Sequence, residues 1–378
     1  MRIGFDAKRA FCNEAGLGNY SRNLLNALSK YYPDNNYFLF TPDTGKYRLF
    51  TPEGNMHLVL PGMKISQVFP SAWRSFGIGS LLLRKRIDLY HGLSHELPFF
   101  IENSGIPALV TIHDLIFLRY PQFYKLTDRQ IYGNKFRHAC NRASRIIAVS
   151  QQTRNDLIEF WNIDPNRIDV VYQSCNPIFY ERVPERDKIT IRERYELPRE
   201  FILSVGAVER RKNILTLIRA MEEFNIDYPL VIVGRPTEYM NEIKNYLKGK
   251  KIGERVYFVH HVPTMVLPAF YQMARAFVYP SFFEGFGIPI IEALASGTPV
   301  ITSRGGCFPE AGGPGTLYVD PNSAEELADS LEKVLHNETL RARMIAEGQE
   351  YAMNFTESKF ASGVMDCYRH TLQELGKL

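Results

Sequence analysis

Residues 280–302 read PSFFEGFGIPIIEALASGTPVIT, and this stretch limits the fold more than any other part of the 378-residue chain. The apolar run from Ala276 to Tyr279 predicts a buried strand, and Glu284, Gly285, Phe286 and Gly287 predict a loop. Pro289 suits the first turn of a helix, where its missing N–H would have no partner anyway. Gly297 ends that helix and Pro299 to Thr302 restart a strand, so the stretch is one βαβ unit. Free amides at the start of such a helix, with the positive end of its dipole, attract anions, and glycines let a ligand approach the backbone. Glu284 and Glu292 lie eight residues apart, roughly 12 Å if the rise were helical throughout. The two carboxylates can flank an elongated polar ligand while the amides between them hold a phosphate.

The length suits about two domains, and a 45% hydrophobic content supports globular packing. No apolar run is long enough to cross a bilayer, and Met1 leads almost directly into a strand-like Arg2 to Phe5, so a cytoplasmic protein without a leader is expected. The five cysteines are widely spaced with no paired metal motif, and they read as free thiols. Residues 1–172 carry 21 Lys+Arg against 14 Asp+Glu, whereas the remainder carries 24 against 27. The basic half could meet an anionic acceptor or a membrane surface. Its basic clusters are short and no nucleic-acid motif accompanies them, so no nucleic acid is expected as a partner.

The N-terminal segment runs from a strand (Arg2 to Asp6) through a loop to Gly16, Leu17, Gly18, Asn19 and Tyr20, then into a helix with Leu24, Leu25 and Leu28 on one face. A dinucleotide fingerprint fails here, because the loop is too long and Ser21 stands where a third glycine would be needed. Residues 66–86 mix aromatic, aliphatic and basic side chains. They fit a membrane-surface helix or a core-packing helix with a basic end (Arg84 to Arg86). His91, His95 and Glu96 have a metal-like spacing, but the intervening Gly and Ser predict a loop, and no metal is expected.

His113 and Asp114 end a strand (Ala108 to Ile112), where ligands collect in open α/β sheets. The pattern breaks around Ser174 to Pro177, the expected domain boundary, and the polar segment through Pro198 reads as a connector. Beyond it, a strand (Phe201 to Gly206), a basic cluster (Arg210, Arg211, Lys212) and a helix from Ile214 place cations where a pyrophosphate would meet free amides.

The 280–302 stretch resembles the signature of retaining glycosyltransferases with the GT-B fold, in particular family 4, whose pattern is Glu, seven residues, Glu. Bacterial surface-polysaccharide mannosyltransferases are similar in the Arg-Lys-Asn and His-Asp stretches. The resemblance implies an α/β chain of two Rossmann-like, doubly wound parallel-sheet domains facing a central cleft. Residues 1–173 would be the acceptor side, 174–355 the donor-binding domain, and 356–378 a helix crossing back to the first domain.

By the same resemblance Glu284 would contact donor-sugar hydroxyls and Glu292 the nucleotide ribose. Gly16 and Gly18 would face the diphosphate, as would Gly285, Phe286, Gly287 and Ile288. His113 and Asp114 would lie at the donor-sugar edge, Lys212 and Arg211 would meet the phosphates, and His260 and His261 would lie near the base. The chain departs from its relatives at Ala207, where many have an Arg, and Arg210 or Arg211 would take that role.

The implied reaction moves a sugar, best matched by mannose from GDP-mannose, onto a hydroxyl of a glycan or lipid-linked acceptor. The sugar nucleotide is a co-substrate, and neither cofactor nor metal is expected. A sugar-nucleotide epimerase of the same architecture and a non-catalytic nucleotide binder are the alternatives.

Overall fold

The computed structural model describes residues 1–45, 49–62 and 72–377. Two compact units account for them. One comprises Met1–Ser174 together with Glu357–Leu378, and the other comprises Cys175–Thr356.

The first unit is built on a seven-stranded sheet. Its strands are β1 (Arg2–Asp6), β2 (Asn36–Phe40), β3 (Met56–Val59), β4 (Leu89–Gly92), β5 (Ala108–Ile112), β6 (Arg145–Ala148) and β7 (Ile168–Val170), in the spatial order β3-β2-β1-β4-β5-β6-β7. All pairings are parallel, and the strands are near-continuously apolar, as a sheet covered on both faces requires. The chain winds outward from β1 in one direction through β2 and β3, then returns to start β4 on the other side. The sheet order therefore reverses between β1 and β4.

The C-terminal helix, Glu357–Glu374, packs on the helix Gly16–Tyr31. Tyr368 is fully buried, and its hydroxyl meets Nδ1 of His91 at 2.6 Å. Nε2 of His91 lies 2.8 Å from Oγ1 of Thr111, which is 3.0 Å from the Tyr20 hydroxyl. These four buried groups, each on a different element, satisfy one another, as buried polar groups must. Arg145 adds ion pairs to Asp169 (2.7 Å) and Glu374 (3.0 Å).

The second unit repeats the plan with six parallel strands: β8 (Ile202–Val205), β9 (Leu230–Val233), β10 (Val256–Val259), β11 (Ala276–Tyr279), β12 (Val300–Ser303) and β13 (Leu317–Val319). Their order is β10-β9-β8-β11-β12-β13, so the reversal lies between β8 and β11. Helices such as Ile214–Glu223 and Ala324–His336 bury Leu217, Ile218, Leu327 and Leu331 against this sheet.

Two expectations need correction. The polar segment before Pro198 is not a plain connector, because Glu185–Arg194 is a helix with acids in its first turn and arginines in its last, which complements the helix dipole. The loop after β1 contains a short helix, Lys8–Cys12, held by Phe11 against Phe50. Part of the 66–86 segment (66–71) lies outside the described residues. The rest is helical at Trp73–Gly77 and Ile78–Arg84, with Trp73, Ile78 and Leu82 in the core and Phe76 and Leu83 exposed. Among the described residues all five cysteines are free thiols, and no helix is long and apolar enough to cross a membrane.

Candidate active site

In the second unit, the loops leaving β8 and β11 are joined at the reversal point, where open α/β sheets form their ligand crevice. The Phe282 amide donates to the Arg211 carbonyl at 2.9 Å, and Nδ2 of Asn213 donates to the Pro280 carbonyl at 3.1 Å. Asn213 takes a left-handed backbone (φ 58°), one that asparagine tolerates well.

This stitching brings Glu284 against the basic cluster. Nζ of Lys212 lies 2.7 Å from Oε1 of Glu284, and Nη1 of Arg211 lies 2.6 Å from Oε2. Lys212 also donates to the Tyr279 hydroxyl, and Arg211 donates to the Phe283 carbonyl at 3.2 Å. All three charged side chains are largely buried. Burial alone would raise the Glu284 pKa, but Arg211 and Lys212 outweigh it and hold the carboxyl down at about 2. Burial lowers the Lys212 ammonium, and Glu284 partly restores it.

Two cations against one carboxylate leave this buried trio with an excess of positive charge. Glu209, half exposed, pairs with Arg211 at 3.1 Å from the rim. Lys212 uses two of an ammonium's three N–H donors on Glu284 and Tyr279, so donor capacity for an anion remains. Gly206, at φ 145°, leaves its missing Cβ position 3.4 Å from Cε of Lys212, so the backbone approaches the ammonium stem closely.

Gly285 and Gly287 lie in the loop before the helix Ile288–Ala295, with Gly287 at φ 114°, a conformation that a side chain would strain. Ile288 is half-buried at the helix start, and the Phe286 ring is buried against Phe355, so only the backbone of Phe286 is left to meet a ligand. Glu292 is half-buried on that helix and accepts from the Tyr271 hydroxyl at 2.9 Å. Burial pushes its carboxyl up to about 7. His260 donates through Nδ1 to the Gly234 carbonyl at 2.6 Å, beyond the end of β10.

Gly16, Gly18, His113 and Asp114 belong to the first unit. A Cβ on Gly18 would lie 1.8 Å from the Asn13 carbonyl oxygen, so this glycine is required by packing, whereas nothing lies within 4 Å of the corresponding position on Gly16. Asp114 accepts from the Ile116 amide at 3.2 Å. Nε2 of His113 is 2.9 Å from the Leu93 carbonyl, which can only accept, so Nε2 carries the proton. Burial lowers His113 to about 4, so the ring is neutral and Nδ1 presents a lone pair. The Tyr20 ring stands edge-on against it at 4.5 Å.

Sequence reasoning missed Tyr279 and Tyr271, which touch the two glutamates.

With this geometry in view, the comparisons give the class. Residues 15–177 match the model described as "Glycosyltransferase Family 4", and residues 186–351 match "Glycosyl transferases group 1". The chain belongs to the family 4 glycosyltransferases and has the GT-B fold. Among particular relatives, O-antigen chain mannosyltransferase B of Escherichia coli is 30% identical over 289 residues, 74% of each chain. The O-antigen chain mannosyltransferase RfbU of Salmonella typhimurium is 29% identical over 225 residues, 60% of each. Sucrose-phosphate synthase from Thermosynechococcus elongatus shares the fold at a TM-score of 0.77 with 21% identity, covering 99% of this chain and 100% of that one.

Proposed function

We propose that this glycosyltransferase moves mannose from GDP-mannose, with retention at the anomeric carbon, onto a hydroxyl of a growing surface glycan. The observation that carries this reading is the buried trio Glu284, Arg211 and Lys212, whose excess positive charge suits a diphosphate beside a carboxylate suited to hydroxyls. The mannosyltransferase names of the two bacterial relatives support the choice of sugar and of pathway class.

In the proposed step the bond between the sugar C1 and the phosphate oxygen breaks, and its electron pair goes to the diphosphate. Lys212 and Arg211 stabilise that charge from fixed positions in a partly dry site, the kind of electrostatic term that dominates many enzymes. The acceptor oxygen bonds to C1 on the same face, and its proton passes to the leaving phosphate oxygen. Glu284 receives sugar hydroxyls on the lone pairs that the two cations leave open, and a carboxylate so tied is a poor nucleophile. Within the second unit Glu292 receives the ribose and the amides near Gly287 the phosphates; in the first unit the His113 lone pair suits a sugar hydroxyl. Fixed cations stand where other phosphoryl sites use a divalent ion, so no metal or cofactor is required.

We also place the work on the cytoplasmic side of a membrane, in peripheral contact with it. Phe76 and Phe100 are exposed, Phe76 stacks on Phe99 at 5.3 Å, and Arg84, Lys85 and Arg86 are exposed at the end of the helix that begins beside Phe76. Equal liposome binding by the protein and by a variant with all three of those charges removed would count against that contact.

Incubation with GDP-mannose alone, then with a mannosylated acceptor, tests the reaction. Transferred mannose with the α configuration kept is the expected result, and isomerised donor without transfer would point to an epimerase.

A further inference from the structure

Tyr279 touches both a cation and the carboxylate of the buried trio without itself facing solvent. It is the last residue of β11 and is 2% exposed. Two aromatic neighbours pack its ring: Phe277 stacks on it at 5.8 Å and Phe308 stands edge-on at 6.5 Å. Its backbone is held as well, for Tyr279 pairs with Thr302 of β12, whose Oγ1 donates to the Tyr279 carbonyl at 2.7 Å. A phenol packed in this way does not follow a ligand, so its hydroxyl is a stationary point beside the trio.

Lys212 is built the opposite way. Its ammonium ends a flexible four-carbon stem that leaves the turn Arg210–Lys212 and passes Gly206. Tied to Glu284 alone, that head would be free to move whenever the carboxylate turned to a sugar hydroxyl. The Tyr279 hydroxyl is its second tie, and Nζ lies 4.6 Å from the ring centre. Chemistry fixes the direction of each bond. An ammonium only donates, so the hydroxyl accepts from Lys212 and gives its own proton to Glu284, a carboxylate that only accepts. Lys212, Tyr279 and Glu284 therefore close a ring of hydrogen bonds, with Arg211 on the other carboxylate oxygen.

We propose that Tyr279 is a positioning residue for the transfer step, its hydroxyl holding the Lys212 ammonium and the Glu284 carboxylate at a fixed spacing. It acts through those two side chains, since a hydroxyl so buried is out of reach of a ligand. The remaining N–H of Lys212 then keeps one direction, and a charge set in place beforehand needs no reorganisation as the diphosphate leaves. The hydroxyl also helps Lys212 to stay charged. Burial works against the ammonium and so does Arg211, while Glu284 and Glu209 favour it. Cys307 lies near enough to feel Lys212, but burial keeps it a thiol, as it keeps Tyr279 a neutral phenol. An acceptor bonded to the ammonium adds to the side of the charged form. The inference rests on the transferase reading for the step, but the tie itself can be measured without a donor.

Tyr279→Phe removes the hydroxyl and keeps the ring. NMR of the full chain with 13C-labelled lysine, the Lys212 signal being identified by its loss in Lys212→Arg, follows the ammonium's titration with no ligand present. In Tyr279→Phe the midpoint should move to lower pH. With GDP-mannose and a mannosylated acceptor, kcat should fall about tenfold, as for one hydrogen bond to a charged group, while KM for the donor changes less than about twofold. The alkaline limb of kcat should move in the same direction as the NMR midpoint. An unmoved Lys212 titration, an unchanged kcat, or a lower kcat and Tm with an unmoved alkaline limb would each overturn the positioning role. A shifted Lys212 titration in a parent protein that transfers from neither GDP-mannose nor UDP-glucose would instead sink the transferase reading and the step with it, leaving the tie between Tyr279 and Lys212 standing.

Discussion

The two units carry the same device with opposite sign. Each places a charged trio where its sheet order reverses: Arg211, Lys212 and Glu284, all largely buried, in one, and Arg74, Asp6 and the quarter-exposed Glu96 in the other, with Glu209 and Lys135 each adding a fourth charge from a more exposed position. The first has two cations for one carboxylate, and the second has one cation for two carboxylates. A single topology thus carries a cation-rich trio and an acid-rich one, and the difference depends on which residue types follow the central strands. Fold supplies the place, and side-chain charge decides the ligand.

The contrast predicts where cation loss is felt. Arg74→Met leaves Asp6 and Glu96 without a buried counter-charge and should cost about 3 kcal/mol or more in stability, read as a lower Tm. An unchanged Tm would mean that the first trio is not the buried network described. Lys212→Ala leaves Arg211 to hold Glu284, so the fold should persist while kcat falls about a hundredfold or more, with a similar loss in Glu284→Ala. Near-normal turnover in both would remove the second trio from the chemistry.

Glu292 sharpens the comparison through pH. Its folded pKa of about 7 lies above the ordinary value of 4.5, so the folded state holds the proton more tightly than the unfolded chain. Its contribution is therefore most favourable below pH 4.5, declines as pH rises, and is least favourable above 7. Glu292→Gln should flatten that decline, by about 1 kcal/mol after allowance for partial exposure. Donor affinity should rise in the parent protein as pH passes 7, since a carboxylate accepts from a ribose hydroxyl more strongly than a carboxylic acid does, and equal pH profiles in the two proteins would refute the ribose contact. Tyr368→Phe should cost about 1 kcal/mol by removing one bond of the buried chain to His91. The smallest effect belongs to chelation: turnover in EDTA should stay within about twofold, and a large loss would show that the cations of the second trio do not suffice.

Much of this was legible in the sequence, for reasons that vary by element. Apolar runs such as Ala108 to Ile112 and Ala276 to Tyr279 match their strands residue for residue, because buried parallel strands have no polar face to blur them. β3 escaped notice because it exposes two central residues between two buried ones, which is neither an alternation nor a run. The 17-residue helix Leu126–Arg142 escaped because it buries only Phe136, Ala139 and Cys140 near one end, while Leu126 and Ile131 are exposed. The proximity of Glu284 to Lys212 was anticipated through the resemblance. The proximity of Arg74 to Asp6 was not, since the residues are 68 apart in the chain and no local pattern links them.

The return of the C-terminal helix fixes an order of events during synthesis. His91, Thr111 and Tyr20 are translated early, but the hydroxyl that completes their chain belongs to Tyr368, after every residue of the second unit. The later-made domain can close on the ribosome before the earlier one is complete, which leaves the patch of the first unit under the C-terminal helix uncovered until the end of translation. Truncation before residue 357 would harm the part of the protein farthest from it in sequence.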